Sequence, residues 1–211
     1  MIWHSLRMRK LYLAAEPEAD ALLATDPLAL LIGALLDQQV PLERAFRAPY
    51  QLARRLGMAR LDAAAIAAYD PEAFTEIFSA PPALHRFPAA MAARIQQLCR
   101  VLVSEYAGDA AAVWRGAVTG QELVERVGAL PGFGRQKAQI FAALLGKQLG
   151  FRPEGWQEAT GPYGEEGVHR SAADVTDEAS LAKVRDYKKQ ARAAARAAKG
   201  QGGGGTRKVA G

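Results

Sequence analysis

The chain has one cysteine, Cys99, and three scattered histidines, His4, His85 and His169, in 211 residues. One cysteine closes no intramolecular disulfide and builds no four-cysteine metal or iron–sulfur site. A lone thiol is expected as a small buried hydrophobe. Histidines this far apart suggest no metal site. No run of about eighteen apolar residues is present, so nothing reads as a membrane span. The opening MIWHSLRMRK shows no apolar core followed by a small-residue cleavage site, and the expectation is a cytoplasmic chain with no membrane partner. Alternating apolar and polar residues are nearly absent as well, which argues against a sheet.

What the chain does have is hydrophobic content, 50% against 23% charged, enough for one or two cores. Its charge is uneven. Residues 181–211 carry nine lysines and arginines against Asp186 alone, a net +8 within a total of +5, so residues 1–180 are net −3. The basic character therefore belongs to the C-terminal arm, which suits nucleic acid and plain solubility alike.

Apolar periodicity punctuated by proline and glycine predicts an all-α chain. Asp26-Pro27 reads as a cap with proline in the first turn, followed by Leu28, Leu31, Ile32, Leu35 and Leu36 at helical spacing. That helix ends before Pro41. Asp70-Pro71 repeats the cap ahead of Phe74, Ile77 and Phe78, and Pro88 opens a helix striped by Met91, Ile95, Leu98 and Leu102 that Gly108 closes. Thr119-Gly120-Gln121-Glu122 reads as a capping box. Its short helix stops at Pro131-Gly132-Phe133-Gly134, and a second helix runs to Gly146. Residues 151–175 read as a long irregular segment, whose Phe151, Trp156 and Tyr163 either stack on a ligand or pin the loop to the core. A last helix is expected from about Asp177 through the Ala/Lys/Arg stretch to 199, then a flexible basic tail at 200–211.

The hairpin between Leu130 and Ala138 carries the most chemistry. Gly132 and Gly134 can take positive φ, and without Cβ atoms their amides can approach a partner closely. Such a turn points amides, at the positive end of a helix dipole, toward an anion. Arg135 and Lys137 stand one step beyond, so the natural ligand is a nucleic-acid phosphate bound without sequence reading. The alternative is a glycine turn between two packed helices, in a helical scaffold that contacts protein.

Three separated segments resemble one family. Leu130-Pro-Gly-Phe-Gly-Arg-Gln-Lys-Ala138 is similar to the signature of the helix-hairpin-helix-GPD DNA glycosylase superfamily, which includes endonuclease III, the adenine mismatch glycosylase and alkyl-base glycosylases. Leu31-Ile-Gly-Ala-Leu-Leu-Asp-Gln-Gln-Val40 resembles its early helix ending in a glutamine pair, and Phe87 to Tyr106 resembles its helix before the hairpin. The likeness covers roughly Asp26 to Gly150 and extends to the superfamily's small bacterial members.

The resemblance implies a two-lobed helical fold with a cleft that takes double-stranded DNA. One lobe, 27–149, is a helical barrel carrying the hairpin at about 119–146; residues 1–26 and 150–199 form the other. Gln38, Gln39, Gly132, Phe133, Gly134, Arg135, Gln136 and Lys137 would touch DNA, with Gln39 probing the space near an extruded nucleotide. Relatives use an aspartate about twenty residues past the second hairpin glycine; counting from Gly134 reaches Glu154, and Asp174 is the second candidate if the irregular segment is an insertion. Members that also cut the strand use a lysine two residues after that glycine. Gln136 stands there, which implies no β-lyase activity. The implied function is a monofunctional DNA N-glycosylase in base excision repair, acting as a monomer without an iron–sulfur cluster, with room for a monovalent cation at the hairpin. The alternative is a non-catalytic damage-binding relative that has lost the catalytic aspartate.

Overall fold

The structure, a computed structural model, describes residues 10–201. The expected tail at 200–211 therefore lies almost wholly outside the described residues. Those described fold into eleven α-helices and two short 3-10 turns, with no strand. The fold is all-α, as the periodicity predicts, and no single helix among these residues is long and apolar enough to cross a membrane.

The N-terminal helices are set by proline caps. Helix α1 (Pro17–Thr25) leads into α2 (Pro27–Leu36), where Asp26 accepts from Leu28 N at 3.0 Å and Ala29 N at 3.3 Å. The other Asp26 oxygen accepts from Leu61 N at 2.8 Å, tying a distant loop to the same cap. Every residue of α2 after Pro27 is buried. Each large aliphatic buried this way contributes about 1.5–3 kcal/mol as an upper estimate. Helix α3 (Leu42–Arg55) crosses α2 so closely that a Cβ on Gly33 would stand 2.7 Å from Phe46 Cδ1. Helices α4 (Ala63–Ala68), α5 (Pro71–Ser79) and α6 (Pro88–Tyr106) complete this group, with Met91, Ile95, Leu98 and Leu102 buried and Cys99 among them. Burial pushes the Cys99 thiol up to about 12, the inert state expected of it.

The second group starts with α7 (Ala112–Arg115) and the hairpin pair α8 (Gly120–Gly128) and α9 (Arg135–Gln148). Thr119 Oγ1 accepts from Glu122 N at 3.1 Å, and Glu122 Oε2 reaches back to accept from Val118 N at 2.9 Å. The segment expected as irregular contains α10 (Trp156–Thr160) and the two 3-10 turns, Gly161–Tyr163 and Ala172–Asp174, all packed on α9. Helix α11 (Glu178–Gln201) is the last element of the described residues.

Helices α1 to α6 pack chiefly on one another, α7 to α10 with the 3-10 turns form the other set, and α2 meets α9 between them. Helix α1 rests on α2 and α3, so the described part of the N-terminal segment joins helices that the sequence reading put in the opposite lobe.

Candidate nucleic-acid interface

The α8–α9 hairpin turns on two glycines that do different work. Gly132 has φ +85°, and a Cβ there would stand 2.7 Å from Arg94 Cδ, so backbone conformation and space both require glycine. Gly134 is the N-cap of α9 at φ −95° and ψ 175°, ordinary extended backbone rather than the expected left-handed one. A Cβ on Gly134 would meet nothing within 4 Å. No contact among the described residues therefore calls for glycine at 134, and its bare backbone is open to an outside partner.

Phe133 N donates to Leu130 O at 3.0 Å, and the first helical bond of α9 is Ala138 N to Gly134 O at 2.9 Å. The amides of Gly134, Arg135, Gln136 and Lys137 have no partner among the described residues, as at any helix start. Gly132, Gly134, Arg135 and Gln136 are exposed at the tip. Phe133, expected with the DNA-facing residues, points inward instead. It is 5% exposed and meets Phe141 edge-on at 6.1 Å, because an apolar ring at the apex anchors the turn to α9. The free amides suit an anion.

Beside the hairpin lies a groove of about 630 Å³, a size usual for ligand sites. Its walls come from the end of α2, from α9 and from α11, and Asp37, Gln38, Gln136, Lys137, Tyr163 and Lys188 supply most of its polar lining. Gln136 Nε2 donates to Tyr163 Oη at 2.7 Å. Lys137 Nζ donates to Leu35 O at 2.6 Å and sits 5.9 Å above the Phe133 ring. Burial lowers its amine to about 8; Asp37 opposes that shift, and Arg94 and Lys188 add to it. Lys137 thus lines the groove rather than extending the hairpin tip.

The glutamine pair divides. Gln38 lines the groove, donating through Nε2 to Leu35 O at 2.9 Å and to Met91 Sδ at 3.3 Å. Gln39, expected to probe it, has φ +58°, is exposed, and borders a separate hollow against α11. The left-handed backbone at 39 sends neighbouring side chains to different faces. His85 braces this corner: its Nδ1 accepts from Phe87 N at 3.1 Å, so its Nε2 carries the proton and donates to Gln38 O at 3.1 Å. Burial holds the imidazole below its ordinary range, favouring the neutral ring.

Neither expected carboxylate lines the groove. Glu154 is exposed, and its backbone pairs with the start of α8 through Gly120 N to Glu154 O at 2.7 Å and Glu154 N to Val118 O at 3.2 Å. The Asp174 carboxyl is 3% exposed and fully engaged: Oδ1 meets Lys147 Nζ at 2.6 Å, and Oδ2 accepts from Arg170 N and Ser171 N at 2.9 and 3.0 Å. Sequence reasoning passed over Asp37, which it treated as the end of a helix, and Lys188, one cation among many. Lys188 Nζ lies 3.1 and 2.9 Å from the two Asp37 oxygens. The usable signal was position: Asp37 directly precedes Gln38, and Lys188, Arg192 and Arg196 recur at helical spacing.

Of the three aromatics left open, Trp156 is buried against the core and Tyr163 borders the groove. Phe151 is half-buried against the core.

Residues 32–199 match the family described as HhH-GPD superfamily base excision DNA repair protein. No curated protein and no solved structure matches the chain.

Proposed function

Because the chain belongs to the HhH-GPD superfamily of base excision DNA repair proteins, we propose that it is a monofunctional DNA N-glycosylase acting as a monomer on double-stranded DNA. The α8–α9 hairpin holds one backbone phosphate, and a damaged or mispaired base turns out of the stack into the adjoining groove. The observation that supports this is the row of unpartnered amides from Gly134 to Lys137 beside a cationic groove. Extrusion costs least where pairing is already faulty, which selects damage before any contact to the base is made. Gln38 and Gln136 offer amides that both donate and accept at the edge of an extruded base.

Strand cutting needs an amine that adds to C1′ of the sugar. Strand-cutting relatives carry that amine two residues past the second hairpin glycine, where this chain has Gln136, an amide bonded to Tyr163, and Lys137 stands one residue on, about 100° round the helix. Water is then the nucleophile and an abasic site the product. A second reading, a damage-binding protein without catalysis, is favoured by one observation: Glu154 and Asp174 both stand off the groove.

A panel of duplexes, each bearing one methylated, oxidised or deaminated base, tests the reading. The expected outcome is strand cleavage only after hot alkali; cleavage without alkali overturns the monofunctional assignment. Release from no duplex, with tight binding of an abasic one, favours the non-catalytic reading. Gly134→Ala is expected to weaken duplex binding about tenfold, the loss of one charge-assisted hydrogen bond, at unchanged melting temperature. Unchanged affinity removes the hairpin from the interface.

A further inference from the structure

Breaking the C1′–N bond leaves positive charge on the sugar and requires water to lose a proton, so the groove needs a carboxylate that is not consumed by the fold. Asp37 is the one acidic residue lining the groove among the described residues. It caps α2, where its amide donates to Gly33 O at 3.1 Å, so the carboxyl stands on the end of a wholly buried helix rather than on a loop. Its side chain is 14% exposed, and the hydrogen-bond donor it meets is Lys188 Nζ. Asp174 differs: its oxygens serve Lys147 and two backbone amides, which would lose their partner if it worked as a base.

Lys188 sits where the exposed cationic face of α11 begins. From 185 to 197 no residue of the helix is buried, and Lys189, Arg192 and Arg196 are exposed. Two ion pairs hold this stretch down, Lys188 to Asp37 and Arg185 to Glu43. Lys188 is thus paired with a carboxylate in the free protein and, under the glycosylase reading, stands on the face that a DNA phosphate would meet.

Resting on the glycosylase reading, we propose that Asp37 is the carboxylate that works on the sugar, with Lys188 as its resident counter-ion until DNA arrives. The C1′–N bond breaks and its electron pair leaves with the base. The cationic sugar takes the place of the Lys188 ammonium beside Asp37. A water oxygen bonds to C1′, and the proton it sheds passes to the Asp37 carboxylate and then to the departing base or solvent.

The test compares two duplexes that differ in one charge: an abasic site carried as neutral tetrahydrofuran, or as cationic pyrrolidine with its nitrogen at the C1′ position. Binding to the full chain is measured by fluorescence anisotropy. Wild type is expected to prefer the cationic duplex about tenfold, the effect of one well-placed opposite charge. Asp37→Asn is expected to reduce that ratio to near one while tetrahydrofuran affinity stays within about threefold. Lys188→Met, which frees the carboxylate without altering it, is expected to raise the ratio. A ratio that persists in Asp37→Asn, or is lost in Asp174→Asn instead, overturns the proposal. Equal wild-type binding to both duplexes sinks Asp37 alone, whereas binding to neither sinks the DNA-repair reading beneath it.

Discussion

Three carboxylates in this chain look alike on paper and differ entirely in what surrounds them. Glu154 is exposed, Asp174 is consumed by Lys147 and two amides, and Asp37 lines a groove and meets Lys188 alone among the described residues. Carrying the family's spacing over pointed to Glu154 and Asp174, and such a spacing measures distance along the chain and not across it. His85 is the parallel case among bases, buried and neutral at the corner that aims Gln38. Its folded pKa lies below the ordinary value of 6.5, so the unfolded chain takes up the proton first as pH falls. The stability tied to the neutral ring is present above pH 6.5 and is lost as pH drops from there toward the folded value. Urea unfolding at pH 7.5 and 5.5 is expected to show a larger fall for wild type than for His85→Gln; equal falls remove His85 as the source.

At the scale of elements, the hairpin was the most legible part of the chain, since Pro131, Gly132 and Gly134 lie within four residues and local geometry settles the turn. Even so, the two glycines, alike in the sequence, do different work. Gly132 is the one the fold requires, and Gly132→Ala is expected to cost about 1–2 kcal/mol from the left-handed backbone, more where Arg94 does not yield. Thermal melting reads this directly, and a melting point equal to wild type would show that the turn tolerates a side chain. Gly134→Ala should leave melting alone, so the pair separates folding from binding within one turn. The capped helices α2, α5, α6 and α8 followed from Asp26, Asp70, Pro88 and Thr119. Helices α1, α3, α4 and α7 did not: α4 and α7 are only six and four residues long, and the buried face of α3 mixes Ala45, Ala48 and Ala53 with Phe46 and an internal Pro49, which blurs the periodic stripe.

For the molecule as a whole, charge separation is the dominant feature: a body of net −3 and an arm of net +8. In the fold, part of that arm becomes a wall of the groove rather than a loose appendage, with Arg192 bordering both the groove and the neighbouring hollow. If these cations follow the DNA backbone, binding releases counterions. Replacing Lys189, Arg192 and Arg196 with glutamine is then expected to flatten the plot of log affinity against log salt by about 2–3. Anisotropy titrations between low and moderate salt check this, and an unchanged slope would place the arm off the DNA.

The sequence by itself determined the helical class, the hairpin, the family and the basic arm, because each rests on periodicity, composition or a few adjacent residues. Only the tertiary structure decided that Gln38 and not Gln39 lines the groove, that Lys137 is drawn in to Leu35 across 102 positions, and that Lys188 meets Asp37 across 151. Contacts that distant depend on how buried helices stack, and the stacking is set by the sum of many small apolar burials that no local pattern records.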